Sequence, residues 1–111
     1  MKLTIDRMSL LRPLGQVQSV VERRNTIPIL ANVLLRADAG ELSLTATDMD
    51  MDIATKVGCS VVTTGTATMS AHLLYDIARK LPDGAEVEIS VSDGQALVSA
   101  GRSSFRLPTL P

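Results

Sequence analysis

Aromatic residues are almost missing from this chain. Tyr75 and Phe105 are the only two, and there is no Trp. That scarcity argues against single-strand readers that stack bases on aromatic platforms. Cys59 is the lone cysteine, so neither an internal disulfide nor a CxxC zinc pair can form. No apolar run approaches the ~18 residues that a membrane span needs, and the opening Met1-Lys2-Leu3-Thr4-Ile5 turns polar at Asp6 before a signal-peptide core develops. These gaps lead to the expectation of a cytoplasmic protein without a membrane partner. What is present is an ordinary globular composition of 111 residues, 45% apolar and 21% charged, the size of one domain with one core.

Excess charge of either sign is also missing from the total, which is −1. Its distribution is less even. Residues 1–36 carry six basic and two acidic groups, whereas residues 37–55 carry five acids (Asp38, Glu41, Asp48, Asp50, Asp52) and no base. Residues 56–111 carry five of each. A near-neutral sum therefore conceals two oppositely charged surfaces.

Hydropathy periods read as strand, helix and three strands, twice over. A strand is expected over 2–5 and a helix over about 7–22, capped by Asp6 or Ser9 and disturbed by Pro13. Strands follow over 27–36, 41–47 and 51–57, with Asp38-Ala39-Gly40 as a turn. The second unit has a strand over 65–69, a helix from a Ser70 cap to about Lys80, and breakers at Leu81-Pro82-Asp83-Gly84. Strands over 86–91, 96–100 and 103–107 complete it. A faint repeat aligns the segment after Asp38 with that after Asp93, Leu42 falling opposite Leu97. The fold class is α+β, with the two helices on one side of antiparallel sheets.

At 100° per residue, Leu10, Leu14, Val17 and Val21 share one stripe of the first helix, and Arg12, Gln16, Ser19 and Arg23 share the opposite one. Arg24 follows at its end. This cationic stripe is either an ordinary solvated face, its last arginines complementing the helix dipole, or a surface for a polyanion. The second helix buries Ala71, Leu74, Ile77, Ala78 and Leu81, and exposes His72, Asp76, Arg79 and Lys80. Constellations for catalysis or metal fail. Asp48-x-Asp50-x-Asp52 lacks the glycine and glutamate of a calcium loop, with Ile53 and Cys59 in their places. His72 is the single histidine and has Asp76 one turn on, which reads as a surface pair rather than a triad. No glycine-rich phosphate loop occurs. No catalytic residue, metal ligand or cofactor is assigned.

Four segments resemble one family. Arg24-Asn25-Thr26-Ile27-Pro28-Ile29-Leu30-Ala31-Asn32 is similar to the Thr-Leu-Pro-Ile-Leu-x-Asn signature of bacterial sliding clamps, the beta subunits of DNA polymerase III. Leu42-Ser43-Leu44-Thr45-Ala46-Thr47-Asp48, Leu81-Pro82-Asp83-Gly84-Ala85-Glu86 and Gly101-Arg102-Ser103-Ser104-Phe105 resemble later segments in order. So does Leu10-Leu11-Arg12-Pro13-Leu14 at the start. The likeness covers residues 1–111 and corresponds to the first of three clamp domains, with the linker to a second domain expected from about Leu107.

The resemblance implies the DNA-clamp fold and a non-catalytic processivity factor within a DNA-directed DNA polymerase, a nucleotidyltransferase assembly. Two three-domain protomers close head to tail into a ring, helices lining the hole. Double-stranded DNA, bound without sequence preference, is the implied partner. The resemblance places Arg24 and Arg79 at family DNA contacts, with Arg12 and Arg23 on the same cationic stripe. His72 stands where the family often has Arg, exchanging a permanent cation for an imidazole. Phe105 and Leu107 match apolar edge positions of the homodimer interface, formed with the third domain of a second protomer. Arg102 is a charged neighbour there, and Ser104 replaces an Arg found in some members. Phe105 and Leu107 are expected to be exposed on a sticky edge. The polymerase alpha subunit and the clamp loader would bind absent domains. Two rival classes are an oligomerisation module that never meets DNA and an accessory domain of an enzyme whose catalytic part lies elsewhere.

Overall fold

Alternation of apolar and polar residues fixes the first strand, and the same rule recurs through the chain. The computed structural model describes the backbone of residues 1–23, 32–47 and 52–110, and side chains within 1–18, 32–46 and 54–110. β1 (Lys2–Asp6) buries Leu3 and Ile5 and leaves Lys2 and Asp6 outside. α1 (Arg7–Arg23) follows at once, the Asp6 carboxylate accepting from the Ser9 amide at 3.2 Å as its cap. The helix runs unbroken through Pro13, which is buried. Three strands follow, β2 (Asn32–Asp38), β3 (Glu41–Thr47) and β4 (Asp52–Gly58).

The second unit repeats the order: β6 (Gly65–Ser70), α2 (Ala71–Lys80), β7 (Glu86–Ser92), β8 (Gln95–Ala100) and β9 (Ser103–Leu110). Between the units lies β5 (Ser60–Thr63), a short strand with no counterpart among the sequence expectations. β9 also runs three residues past Leu107, so 108–110 is strand rather than the start of a linker. The expected strand over 27–36 is described only from Asn32 onward.

The described strands form one antiparallel sheet in the order β4-β3-β2-β6-β9-β8-β7-β1-β5. The leading strand of each unit is exchanged: β1 pairs with β7 of the second unit, and β6 pairs with β2 of the first. Its terminal strands, β4 and β5, are separated in the chain by Cys59 alone, so the two edges of the sheet adjoin at this residue, a seam without a β4–β5 ladder among the described residues. The Cys59 amide donates to the Gly40 carbonyl at 2.9 Å at that seam. Both helices pack on the sheet, α1 against β1, β3 and β4, and α2 against β2, β6 and β9. The core between them contains Leu10, Leu14, Val17, Leu35, Leu44, Leu74, Ile89 and Val98, all with no exposed surface.

The internal repeat is real, but its register differs by one residue from the sequence alignment. Ala39-Gly40 and Asp93-Gly94 are equivalent two-residue hairpin loops, each with both φ angles between +51° and +77°, which is type I′ geometry. Leu42 therefore corresponds to Ala96, both buried, while Leu97 lies half-buried on the other face. A one-residue slip exchanges the faces of a strand. Matching leucine to leucine by identity had crossed from one face to the other.

Candidate nucleic-acid interface

The helix layer is assembled by three contacts that run in opposite chain directions on the two helices. His72 Nδ1 lies 3.1 Å from Gln18 Oε1. A Cβ at Gly15 would sit 3.3 Å from the Tyr75 ring, so this glycine sets a close approach. Arg7, at the start of α1, reaches the carbonyls of Ala78 and Arg79 near the end of α2 at 3.2 and 3.0 Å. α1 and α2 are thus antiparallel neighbours. α2 begins on the Ser70 hydroxyl, which accepts from the Leu73 amide at 3.2 Å, and ends with the Leu81 amide donating to Ala78.

Among the described residues, the cations on the outward sides of this layer are Arg12, Arg79 and Lys80, all exposed. Arg79 pairs with Asp76 at 3.8 Å and lies 5.4 Å from the Tyr75 ring centroid. Both partners of the ion pair are more than half exposed, so it restrains Arg79 weakly and leaves the guanidinium accessible. Arg12 and Lys80 have no ion-pair partner among the described residues. Arg24 lies outside the described residues, as does the side chain of Arg23. Met8 and Leu73, each close to half exposed, add apolar surface that the helical wheel assigned no role.

His72 requires a correction. The sequence placed it on the solvated face beside Asp76, whereas it is half-buried against Gln18, and its Nε2 is buried with no hydrogen-bond partner among the described residues. Asp76 turns instead to Arg79. The physical reason is the position of α1: the wheel treats α2 alone, and the neighbouring helix covers the side on which His72 lies. Arg7 was missed altogether. It is 8% exposed and pairs with Asp83 at 2.8 Å, so it contributes nothing to the outward charge of the first segment. No local signal marks it, because its partners are more than seventy residues away in the chain.

The proposed interface strand also differs from expectation. Leu107 is 3% exposed, packed opposite Ala96 in the domain's own core, and Phe105 is half-buried opposite Val98. Both point inward because they fall on the same alternation as buried Ala96 and Val98. Arg102, Ser104 and Arg106 are exposed. What β9 leaves open is backbone: it pairs with β8 from Ser103 to Pro108, but with β6 only at Thr109 and Leu110. After Ser70 the chain turns into α2, so β6 cannot extend the ladder along the rest of that edge.

The Cys59 thiol is half-buried at the seam of the sheet, and burial pushes its pKa above the ordinary 9.0. No helix among the described residues is long and apolar enough to cross a membrane.

Comparison with known proteins gives one consistent result. The family model for the DNA polymerase III beta subunit, N-terminal domain, matches residues 1–111. The beta sliding clamp of Caulobacter vibrioides (strain NA1000 / CB15N) is 56% identical over 113 aligned positions, covering all of this chain and 30% of that protein. That of Escherichia coli (strain K12) is 43% identical over 112, covering all of this chain and 31% of the relative. Among solved structures, the DNA polymerase sliding clamp from Caulobacter crescentus superposes with a TM-score of 0.93 at 56% identity, across this whole chain and 30% of that one. The DNA polymerase III subunit beta from Pseudomonas aeruginosa gives a TM-score of 0.93 at 44% identity, with the same coverage. The chain spans about a third of the length of the curated relatives it matches. Matched end to end by the family model and superposing on solved clamps, this chain belongs to the DNA polymerase III beta subunit family, matching its N-terminal domain.

Proposed function

We propose that this chain is the first domain of a three-domain sliding clamp, a non-catalytic processivity factor of bacterial DNA replication that works in the cytoplasm. Two such protomers close head to tail into a ring around duplex DNA, and the ring tethers the replicative polymerase. The observation that carries the reading is the end-to-end match of the chain to DNA polymerase sliding clamps, at 56% identity and a TM-score of 0.93.

The geometry agrees with a ring element. The helix layer offers Arg12, Arg79 and Lys80 to a polyanion, with no aromatic platform and no base-reading constellation among the described residues. Such a surface meets phosphates without reading sequence. A clamp must also slide, so its grip should be topological rather than chemical. Firm phosphate contacts would act as a brake. In this reading the open backbone edge of β9, its exposed neighbours Arg102 and Ser104, and the exposed part of half-buried Phe105 meet the third domain of the second protomer. Leu107 supports that strand from beneath. The polymerase alpha subunit and the clamp loader bind other domains.

The test is retention of the full-length protein on a nicked circular plasmid compared with the same plasmid linearised, with clamp loader and ATP supplied. Retention on the circle with loss from the linear form is expected. Equal retention on both would mean ordinary surface binding and would overturn the clamp reading for this protein.

A further inference from the structure

We infer that Arg7 is a positioning residue for DNA contact, holding the last turn of α2 so that Arg79 and Lys80 present together to the phosphates; this rests on the reading of the helix layer given above. Arg7 is the most deeply buried charged side chain among the described residues, at 8% exposure, and so cannot itself reach a phosphate. Its guanidinium spends its donors on three acceptors around one helix end: Nε to the Ala78 carbonyl at 3.2 Å, Nη2 to the Arg79 carbonyl at 3.0 Å, and Nη1 to the Asp83 carboxylate at 2.8 Å. The Arg7 amide donates in addition to the Ala85 carbonyl at 3.0 Å. One residue thereby fastens both the end of α2 and the turn beyond it.

Two physical consequences follow. The C-terminus of a helix leaves its last carbonyls unpaired and carries roughly half a negative charge. Turned towards DNA, that end would repel the backbone it is meant to approach. Arg7 donates to the Ala78 carbonyl, which the Leu81 amide also reaches, and to the Arg79 carbonyl, so fewer of the last acceptors of α2 are left to face the backbone that Arg79 and Lys80 would meet. The second consequence is mechanical. α2 has ten residues, and short helices fray at their ends; the Arg79 carbonyl is held by Arg7, which fixes the direction of the residue carrying the exposed cation. A planar fork suits three acceptors where a single ammonium does not. The device occurs in one unit only, since the first residue of α2, the counterpart of Arg7, is Ala71.

The experiment measures anisotropy of a labelled random-sequence duplex with the full-length protein over a salt series. It compares wild type, Arg7→Met, Arg79→Ala/Lys80→Ala, and the triple variant. Each phosphate contact contributes about 0.9 to the salt slope, worth roughly eightfold in affinity at 0.1 M salt. Arg79→Ala/Lys80→Ala should lower the slope by about 1.8. Arg7→Met, folded by circular dichroism, should lower it by at least about 0.9 although Arg7 touches no DNA, and should add nothing to the double variant. If Arg7→Met fails to fold, Arg7→Lys takes its place; its single ammonium keeps the buried charge but cannot span the three acceptors, and a partial loss of slope is expected. A folded Arg7 variant with the wild-type slope, or one whose loss simply adds to that of Arg79→Ala/Lys80→Ala, would overturn the proposal while leaving the DNA reading intact. No effect of Arg79→Ala/Lys80→Ala in the wild-type background would instead remove the DNA reading itself.

Discussion

Ala39 occupies the left-handed region at φ +51° in the β2–β3 loop, followed by Gly40 at +76°. The equivalent loop uses Asp93-Gly94, a pair suited to a type I′ turn, while alanine has no side chain to ease the strain. Ala39→Asn should therefore stabilise the domain by several tenths to about 1 kcal/mol, read as a rise of a few degrees in calorimetric Tm. Gly15 shows the opposite constraint. With the Tyr75 ring only 3.3 Å from where its Cβ would be, Gly15→Leu overpacks the helix crossing and should cost about 1–3 kcal/mol, lowering the midpoint of a urea titration. Cys59 is shifted by burial alone. Because its folded pKa lies above the unfolded value, the associated stability is complete below pH 9 and is lost as pH rises through the folded value. Alkylation of native protein at pH 8 should accordingly run slower than that of the denatured chain; equal rates would show that the thiol is not shielded.

The helices show which features can be read from a sequence. The stripe of Leu10, Leu14 and Val17, and the set Ala71, Leu74, Ile77, Ala78 and Leu81, are buried as periodicity required, because a 3.6-residue repeat records where each helix meets the sheet. Strand alternation and turn chemistry likewise placed most of the sheet. Contacts between elements left no such trace. The burial of His72 depends on α1, the role of Arg7 depends on α2, and the inward orientation of Leu107 depends on the pleat of β8. The candidate surface was correspondingly half legible: the exposure of Arg12, Arg79 and Lys80 was foreseen, and the bonds that hold the helix layer were not. With three outward cations described in this layer, and Arg24 and the Arg23 side chain outside the described residues, its duplex affinity should fall with salt at a slope at least as steep as about −2.7. The domain alone should bind no tighter than roughly 10⁻⁴ to 10⁻⁶ M near physiological salt. A tight or sequence-selective complex in the same titration would contradict a surface built only for phosphates.

At the scale of the whole molecule, the open side of β9 from Ser103 to Pro108 is where a second protomer is proposed to join. Phe105→Asp in the full-length protein should shift sedimentation from dimer towards monomer, and an unchanged dimer would exclude Phe105 from that interface. Leu107→Ala, by contrast, removes volume from this domain's own core and should cost about 2–5 kcal/mol in stability, seen in thermal unfolding. The strand exchange reaches beyond assembly to the order of events in synthesis. β1 is made first, yet its register partners lie in β5, from Ser60 to Thr63, and in β7, from Glu86 to Ser90. At about 5–20 residues per second, the first strand waits on the order of ten seconds for the segment that completes its ladder. Contacts of such long sequence separation also slow the folding search itself. Neither duplicated half can mature alone, because each lends its opening strand to the other. The nine-stranded sheet of this domain is therefore completed late, after nearly all of residues 1–111 have emerged.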